Sequence, residues 1–151
     1  FNGDWKNYFE FFADKDDDFI SAHIGDFSGD TRWTRWKEIE LVNIKLNHKM
    51  LLRSFNPICR ISNRALALGH ERCKLGDRGH YEVLLPTLFK YFKLKISDFG
   101  GNGRFIYTGC SGLFYTDDPN DVCGDKCTHR FRPAHTEGEM ALSGMIYHPV
   151  K

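Results

Sequence analysis

Gly79-His80-Tyr81-Glu82-Val83-Leu84-Leu85-Pro86-Thr87 is where this chain passes from loop to helix. Upstream lies a polar, Gly-bearing turn, Leu75-Gly76-Asp77-Arg78-Gly79-His80. Downstream, an apolar run predicts a helix over Glu82 to Phe92, with Pro86 tolerable only in its first turn because Pro has no N–H to donate. A loop feeding a helix start is where α/β proteins set catalytic carboxylates. The loop admits a substrate and the helix N-terminus steadies the anion. Glu82 is therefore the first candidate for a general base. Its alternative role is the ordinary one, a first-turn acid that favours the helix dipole.

Working outward, the pattern alternates between helical and extended segments. Asp4 to Ala13 carries Trp5, Tyr8, Phe9, Phe11 and Phe12 at helix-like spacing. Asp14 to Asp18 reads as a polar turn, and Phe19 to Ile24 as a short buried strand. Asp26 to Arg32 is a loop rich in Gly, Ser and Asp. Lys49 to Ser62 contains a strand broken by Pro57 and resumed at Ile58. Asn63 to Cys73 predicts an amphipathic helix whose apolar side is Ala65, Leu66, Ala67 and Leu68. Leu94 to Phe99 alternates like a strand and is ended by Gly100, Gly101 and Gly103. Phe105 to Tyr107 is a further strand candidate, residues 109–140 are polar and irregular, and Ile146 to Val150 closes the chain. Strands alternating with helices argue for an α/β layer structure.

The chain has 151 residues, enough for one domain with a sizeable core. A formal net charge of +1 supplies no global field for nucleic acid or an anionic membrane, so nucleic acid is not an expected partner. No apolar run reaches the roughly 20 residues of a membrane span. Whether a membrane tether exists is not readable from these residues. The five cysteines, an odd number, leave at least one thiol outside any intrachain disulfide set. Cys59 and Cys73 read as buried thiols, and Cys110, Cys123 and Cys127 cluster where a disulfide is permitted.

Three constellations could carry chemistry. The Asp-x-Asp spacings of Asp14 to Asp18 suit a hard cation bridging a diphosphate. Against that, the run precedes its strand, whereas ligands of open α/β sheets gather beyond the strands' carboxyl ends. A solvated turn is the plainer reading. Cys123-x3-Cys127-x-His129, with His135 beyond, offers soft ligands, but structural zinc sites favour tighter pairs. A local disulfide or plain thiols are the alternatives. Trp5, Trp33 and Trp36 stand near polar loops, where an aromatic face can take the apolar side of a sugar ring. Core packing is the other fate of a Trp.

The order Phe1-Asn2-Gly3-Asp4-Trp5, Asp18-Phe19-Ile20-Ser21-Ala22-His23, Pro57-Ile58-Cys59-Arg60-Ile61-Ser62, Gly79 to Thr87 and Tyr147-His148-Pro149-Val150-Lys151 resembles the C-terminal half of a GT-A fold glycosyltransferase. The resemblance is to a poorly characterised group of these enzymes, and more distantly to core-2/I-branching N-acetylglucosaminyltransferases. It implies a Rossmann-like mixed sheet with flanking helices and a long irregular Cys-containing loop. It also implies transfer from a nucleotide-diphospho-sugar to an acceptor hydroxyl on a glycan or other molecule, with Glu82 as base. By the same resemblance, Asp4, Trp5, Trp33, Trp36 and His80 fall on the acceptor side, Arg60 and Ser62 on the donor side. His148 would help hold a divalent cation, Mn or Mg. The chain opens where the DxD strand of such a fold has just ended. The resemblance therefore implies the acceptor-binding portion of a larger domain, with little or no transfer by this chain alone. It implies a Golgi or secretory lumen in a eukaryote and the cytoplasm in a bacterium. The competing readings are a non-catalytic carbohydrate-binding or interaction module and a small zinc-stabilised domain.

Overall fold

The computed structural model describes residues 5–101, 103–112, 114–115, 129–130 and 146–147. In chain order the elements are α1 (Trp5–Ala13), β1 (Phe19–Asp26), β2 (Ile39–Glu40), β3 (Leu52–Ile61), α2 (Asn63–Lys74), β4 (Arg78–Gly79), α3 (Tyr81–Tyr91), β5 (Ile96–Asp98), β6 (His129–Arg130) and β7 (Ile146–Tyr147). Two short 3-10 turns, Phe27–Gly29 and Thr34–Lys37, stand between β1 and β2. The protein is mixed α/β, with a mixed sheet and flanking helices. It divides into two compact units, Asp16–Asp98 and a second made of Phe1–Lys15 with Phe99–Lys151. Among the described residues no helix is long and apolar enough to cross a membrane.

The Asp16–Asp98 unit is built on the three-stranded sheet β3-β1-β5. β3 runs antiparallel to β1, and β5 parallel to it. Phe19, Ile20, Ser21 and Ala22 are all buried, as a central strand requires. Helix α3 lies against β3 and also meets β1 and β5. Its buried side is Val83, Leu84, Thr87 and Leu88, the i, i+3, i+4 set of one helical stripe. Phe89 meets Phe19 edge-on at 5.4 Å. Thr87, wholly buried, places its Oγ1 2.9 Å from the Leu52 N–H and 3.1 Å from the Leu52 carbonyl, so α3 completes the start of β3.

Several expectations change here. Asp14 to Asp18 is not a solvated turn throughout, because Asp17 and Asp18 are 1% and 2% exposed. Asp18 accepts from Ser62 Oγ at 2.8 Å, from Arg64 Nε at 2.9 Å and from the Lys95 N–H at 2.9 Å. Asp17 accepts from Ser97 Oγ, and Lys95 Nζ pairs with Asp16. These carboxylates tie the starts of β1, α2 and β5 together. Pro57 does not break its strand: β3 runs through it. Asn56, Pro57, Ile58 and Cys59 bulge opposite Ser21, where the ladder is already open, so no ladder N–H is missed there. The buried Ser21 hydroxyl caps that bulge, 2.9 Å from the Phe55 carbonyl and 2.6 Å from Asn56 Oδ1.

Pro86 sits in the second turn of α3 rather than the first, since the helix opens at Tyr81. It is buried, and it has no N–H to give the Glu82 carbonyl four residues back. Of the apolar side forecast for α2 only Ala65 is buried, and Leu66 is 54% exposed. Four consecutive helical residues span more than one face, and α2 is held at its ends by charge instead. Cys59 and Cys73 are exposed rather than buried; Cys110 is the buried thiol. Phe105–Tyr107 forms turns and a single bridge, not a strand.

In the other unit, α1 buries Tyr8 and Phe12, one turn apart. They pack with Phe11, Phe99 and Phe114 at ring separations between 4.9 and 5.6 Å. Tyr115 lies so close to Gly101 that a Cβ there would fall 2.3 Å from its hydroxyl oxygen. β6 and β7 pair in parallel.

Candidate functional site

Glu82 lies in the first turn of α3, behind the N-cap residue His80. The Glu82 N–H points at His80 Nδ1 across 3.4 Å. The same Nδ1 stands 3.8 Å from Glu82 Oε2. The Glu82 side chain is 16% exposed. Among the described residues no donor reaches its oxygens at hydrogen-bond distance. Tyr81 is half exposed, and burial of part of its ring together with the Glu82 charge raises its hydroxyl above the usual tyrosine range. It therefore stays a neutral donor beside the carboxylate.

The turn ahead of Glu82 is rigid for stated reasons. Asp77 is buried, receives Arg72 Nε at 2.7 Å, and accepts from the Val42 N–H at 2.7 Å. Arg72 Nη2 donates to the Val42 carbonyl at 2.8 Å. β4 pairs with β2, Gly79 opposite Ile39, and the His80 N–H donates to the Glu38 carbonyl at 2.8 Å. A Cβ on Gly79 would stand 2.2 Å from the Glu38 carbonyl oxygen, at a φ of +152°. Only glycine admits this approach of two backbones.

β2 leads back to the tryptophans. Trp36 is buried and donates its Nε1–H to the Asp30 carbonyl at 2.7 Å. Trp33, half-buried, meets it edge-on at 4.8 Å. Trp36, Leu51 and Val83, the neighbour of Glu82, form one apolar cluster. Over that cluster opens a cleft of about 680 Å³, walled by Trp33, Trp36, Phe27 and Leu46 and edged by Thr31, Thr34, Asn47 and His48. The two sequence candidates Trp33 and Trp36 thus meet, but unequally. Trp36 serves the core with only part of its ring at the cleft, while Trp33 is the more open face.

The other candidates are placed as follows. Ser62 is the N-cap of α2, accepting from the Ala65 N–H at 3.1 Å and donating to Asp18. Arg60 donates from Nη2 to the Asp17 carbonyl at 3.1 Å. Both stand at the far end of β3 from Leu52. Trp5 opens α1, in the other unit. Asp4, Cys123, Cys127, His135 and His148 lie outside the described residues, and His129 begins β6. Among the described residues no group of three or more His, Cys, Asp or Glu side chains is arranged to hold a metal ion. The Asp-x-Asp carboxylates in particular already face Arg64, Lys95, Ser62 and Ser97. His148, the residue that the resemblance assigns to a divalent cation, is among those outside the described residues.

Sequence reasoning missed Arg32, Lys37, Asn47 and His48 as cleft residues. The signal was present in Thr31-Arg32-Trp33-Thr34-Arg35-Trp36-Lys37, where hydroxyl, basic and aromatic side chains interleave. Set against protein-family models, curated proteins and solved structures, the chain finds no match in any of the three.

Proposed function

We propose that the chain is the acceptor-binding and catalytic portion of a GT-A type glycosyltransferase, with Glu82 as general base. One observation supports the reading above the rest. The buried carboxylates Asp17, Asp18, Asp77 and Asp98 each accept a hydrogen bond, whereas the partly buried Glu82 accepts none among the described residues. A base must be within hydrogen-bond reach of the proton it takes, and a carboxylate already saturated by Arg or Lys cannot serve. In the step, Glu82 accepts the acceptor's hydroxyl proton while that oxygen bonds to the sugar's anomeric carbon. The bond from that carbon to the phosphate oxygen breaks, and the nucleoside diphosphate leaves with inversion. In this reading Ser62 and Arg60 hold the scaffold. No step is assigned to a metal.

The test is Glu82→Gln in the longest natural form of the protein, assayed with a panel of nucleotide-sugars and acceptors. Transfer is expected to fall by roughly 10²- to 10⁴-fold, the usual contribution of a positioned base, while the circular dichroism spectrum stays the same. Undiminished transfer by a folded variant overturns the proposal. The cleft beside Trp33 favours a second reading, a carbohydrate-binding module without catalysis. Under that reading saccharides bind but no nucleotide-sugar is consumed, with or without the substitution.

A further inference from the structure

The cleft over Trp33 and Trp36 carries charge of one sign. Arg32 and Lys37 line it, and among the described residues no Asp or Glu does. Other cations of this unit are paired: Arg35 with Glu38, Arg53 with Asp30, Arg72 with Asp77, Arg78 with Glu40 and Lys90 with Asp26. Arg32 and Lys37 have no such partner among the described residues, and both are exposed. Two uncommitted cations on one concave, partly apolar surface are complementary to an anion that also has an apolar face.

The ring geometry narrows the class. Phe27 and His48 are already stacked on each other, 4.1 Å apart and 10° from parallel. Trp33 and Trp36 are 81° from parallel. Neither pair is an open slot for a flat nucleobase. The Arg53 guanidinium lies over the Trp33 ring, 5.9 Å from its centroid, and the side of the indole that lines the cleft, with the hydroxyls of Thr31 and Thr34 and the amide of Asn47, suits a pyranose ring. We infer that this cleft binds an acidic saccharide, one whose carboxylate or sulfate groups meet Arg32 and Lys37 while a ring face lies on Trp33. That this saccharide is the acceptor for Glu82 rests on the transferase reading. That it binds does not.

The experiment uses the 151-residue chain and measures binding by titration calorimetry and tryptophan fluorescence. The probes are tetragalacturonate, its methyl ester, a sulfated tetrasaccharide of similar length, a neutral tetrasaccharide, uridine diphosphate and inorganic polyphosphate. Either tetragalacturonate or the sulfated probe is expected to bind, the two arms distinguishing carboxylate from sulfate recognition. The methyl ester and the neutral sugar are expected to bind far more weakly. Arg32→Gln and Lys37→Gln replace exposed side chains that have no partner among the described residues, so the fold should survive both. Each should weaken binding by roughly tenfold, and the pair by about a hundredfold, as loss of charge-assisted hydrogen bonds implies. Trp33→Phe should lower affinity with the charge selectivity retained. Binding of neither acidic probe, equal binding of the methyl ester, equal binding of polyphosphate, displacement by uridine diphosphate, or unchanged affinity in the double variant would each overturn the site. Acidic saccharides that bind this chain but are not used as acceptors by the longest natural form of the protein remove the acceptor role and leave this site standing. Failure of both acidic probes to bind, with transfer by the longest natural form intact, removes this site and leaves the transferase reading.

Discussion

Asp18 shows how one residue changes meaning once its surroundings are known. In the sequence it ends an acidic run and suggests a cation. In the fold it is 2% exposed and faces Arg64, Ser62 and the Lys95 N–H. The Arg64 guanidinium does most to hold its carboxyl down, to about 2, against the opposing effect of burial. The folded form therefore keeps Asp18 ionised at a pH where the unfolded chain has protonated it. That stabilisation is complete above about pH 4 and is lost as the pH falls through about 2. Acid titration of the wild-type chain should show this loss of stability between those values, and Asp18→Asn should remove that component. Asp18→Ala is expected to cost on the order of 3 kcal/mol at neutral pH, because it leaves buried donors without an acceptor. A variant with unchanged denaturant midpoint would show that the network is ornamental. Glu82 is the converse residue. Its open oxygens could not be read from sequence, because nothing local says which nearby donors will be spent elsewhere.

At the scale of elements, what was legible depended on whether neighbours in sequence did the stabilising. Helix α1, strand β1 and helix α3 follow from local apolar period, and they stand where that period puts them. The run through Pro57 was not legible, since it depends on a bulge set by register with β1. Nor was the poor burial of α2, one of whose anchors, Asp18, lies far from it in sequence, while the other, Asp77, stands just past its end. They engage Arg64 near its start and Arg72 near its end. The junction of α3 with β3 supplies a prediction. Thr87 Oγ1 both accepts from the Leu52 N–H and donates to its carbonyl, in a fully buried place. Thr87→Val keeps the shape and deletes both bonds. It should lower stability by roughly 2 kcal/mol, the cost of leaving buried backbone groups unpaired. Urea denaturation should show a lower midpoint with an unaltered slope, and Thr87→Ser should recover most of the difference. Equal midpoints for Val and Thr would mean that packing alone holds this junction.

Over the whole molecule the net charge of +1 hides a division of labour. In the unit Asp16–Asp98 carboxylates are paired and buried at the turns, while Arg32 and Lys37 remain open at the cleft. A composition cannot show that segregation. Only the pairing geometry does. The α/β class was legible from alternating strands and helices, but the boundary at Asp98 was not, because β5 must pair with β1 before its membership is decided. The unit's main ties start and finish inside it: Asp18 with Arg64, Asp77 with Arg72, Thr87 with Leu52, and the Asp98 carboxylate with the Ile24 N–H at 2.8 Å. Among the described residues its sheet has three strands, and Phe19, Ile20, Leu52, Val83, Leu88 and Phe89 are buried in its core. Chains somewhat shorter than this, about 55 to 65 residues, can fold alone when they have such a core. A fragment spanning Asp16–Asp98 should therefore unfold cooperatively and keep a near-ultraviolet signal from Trp33 and Trp36. It should also bind the acidic saccharide as the full chain does, because every cleft residue lies within it. A fragment with helical far-ultraviolet signal but no near-ultraviolet signal and no cooperative transition would be a molten state. That outcome would place part of this unit's stability in the residues beyond Asp98, against the self-contained network of ties described above.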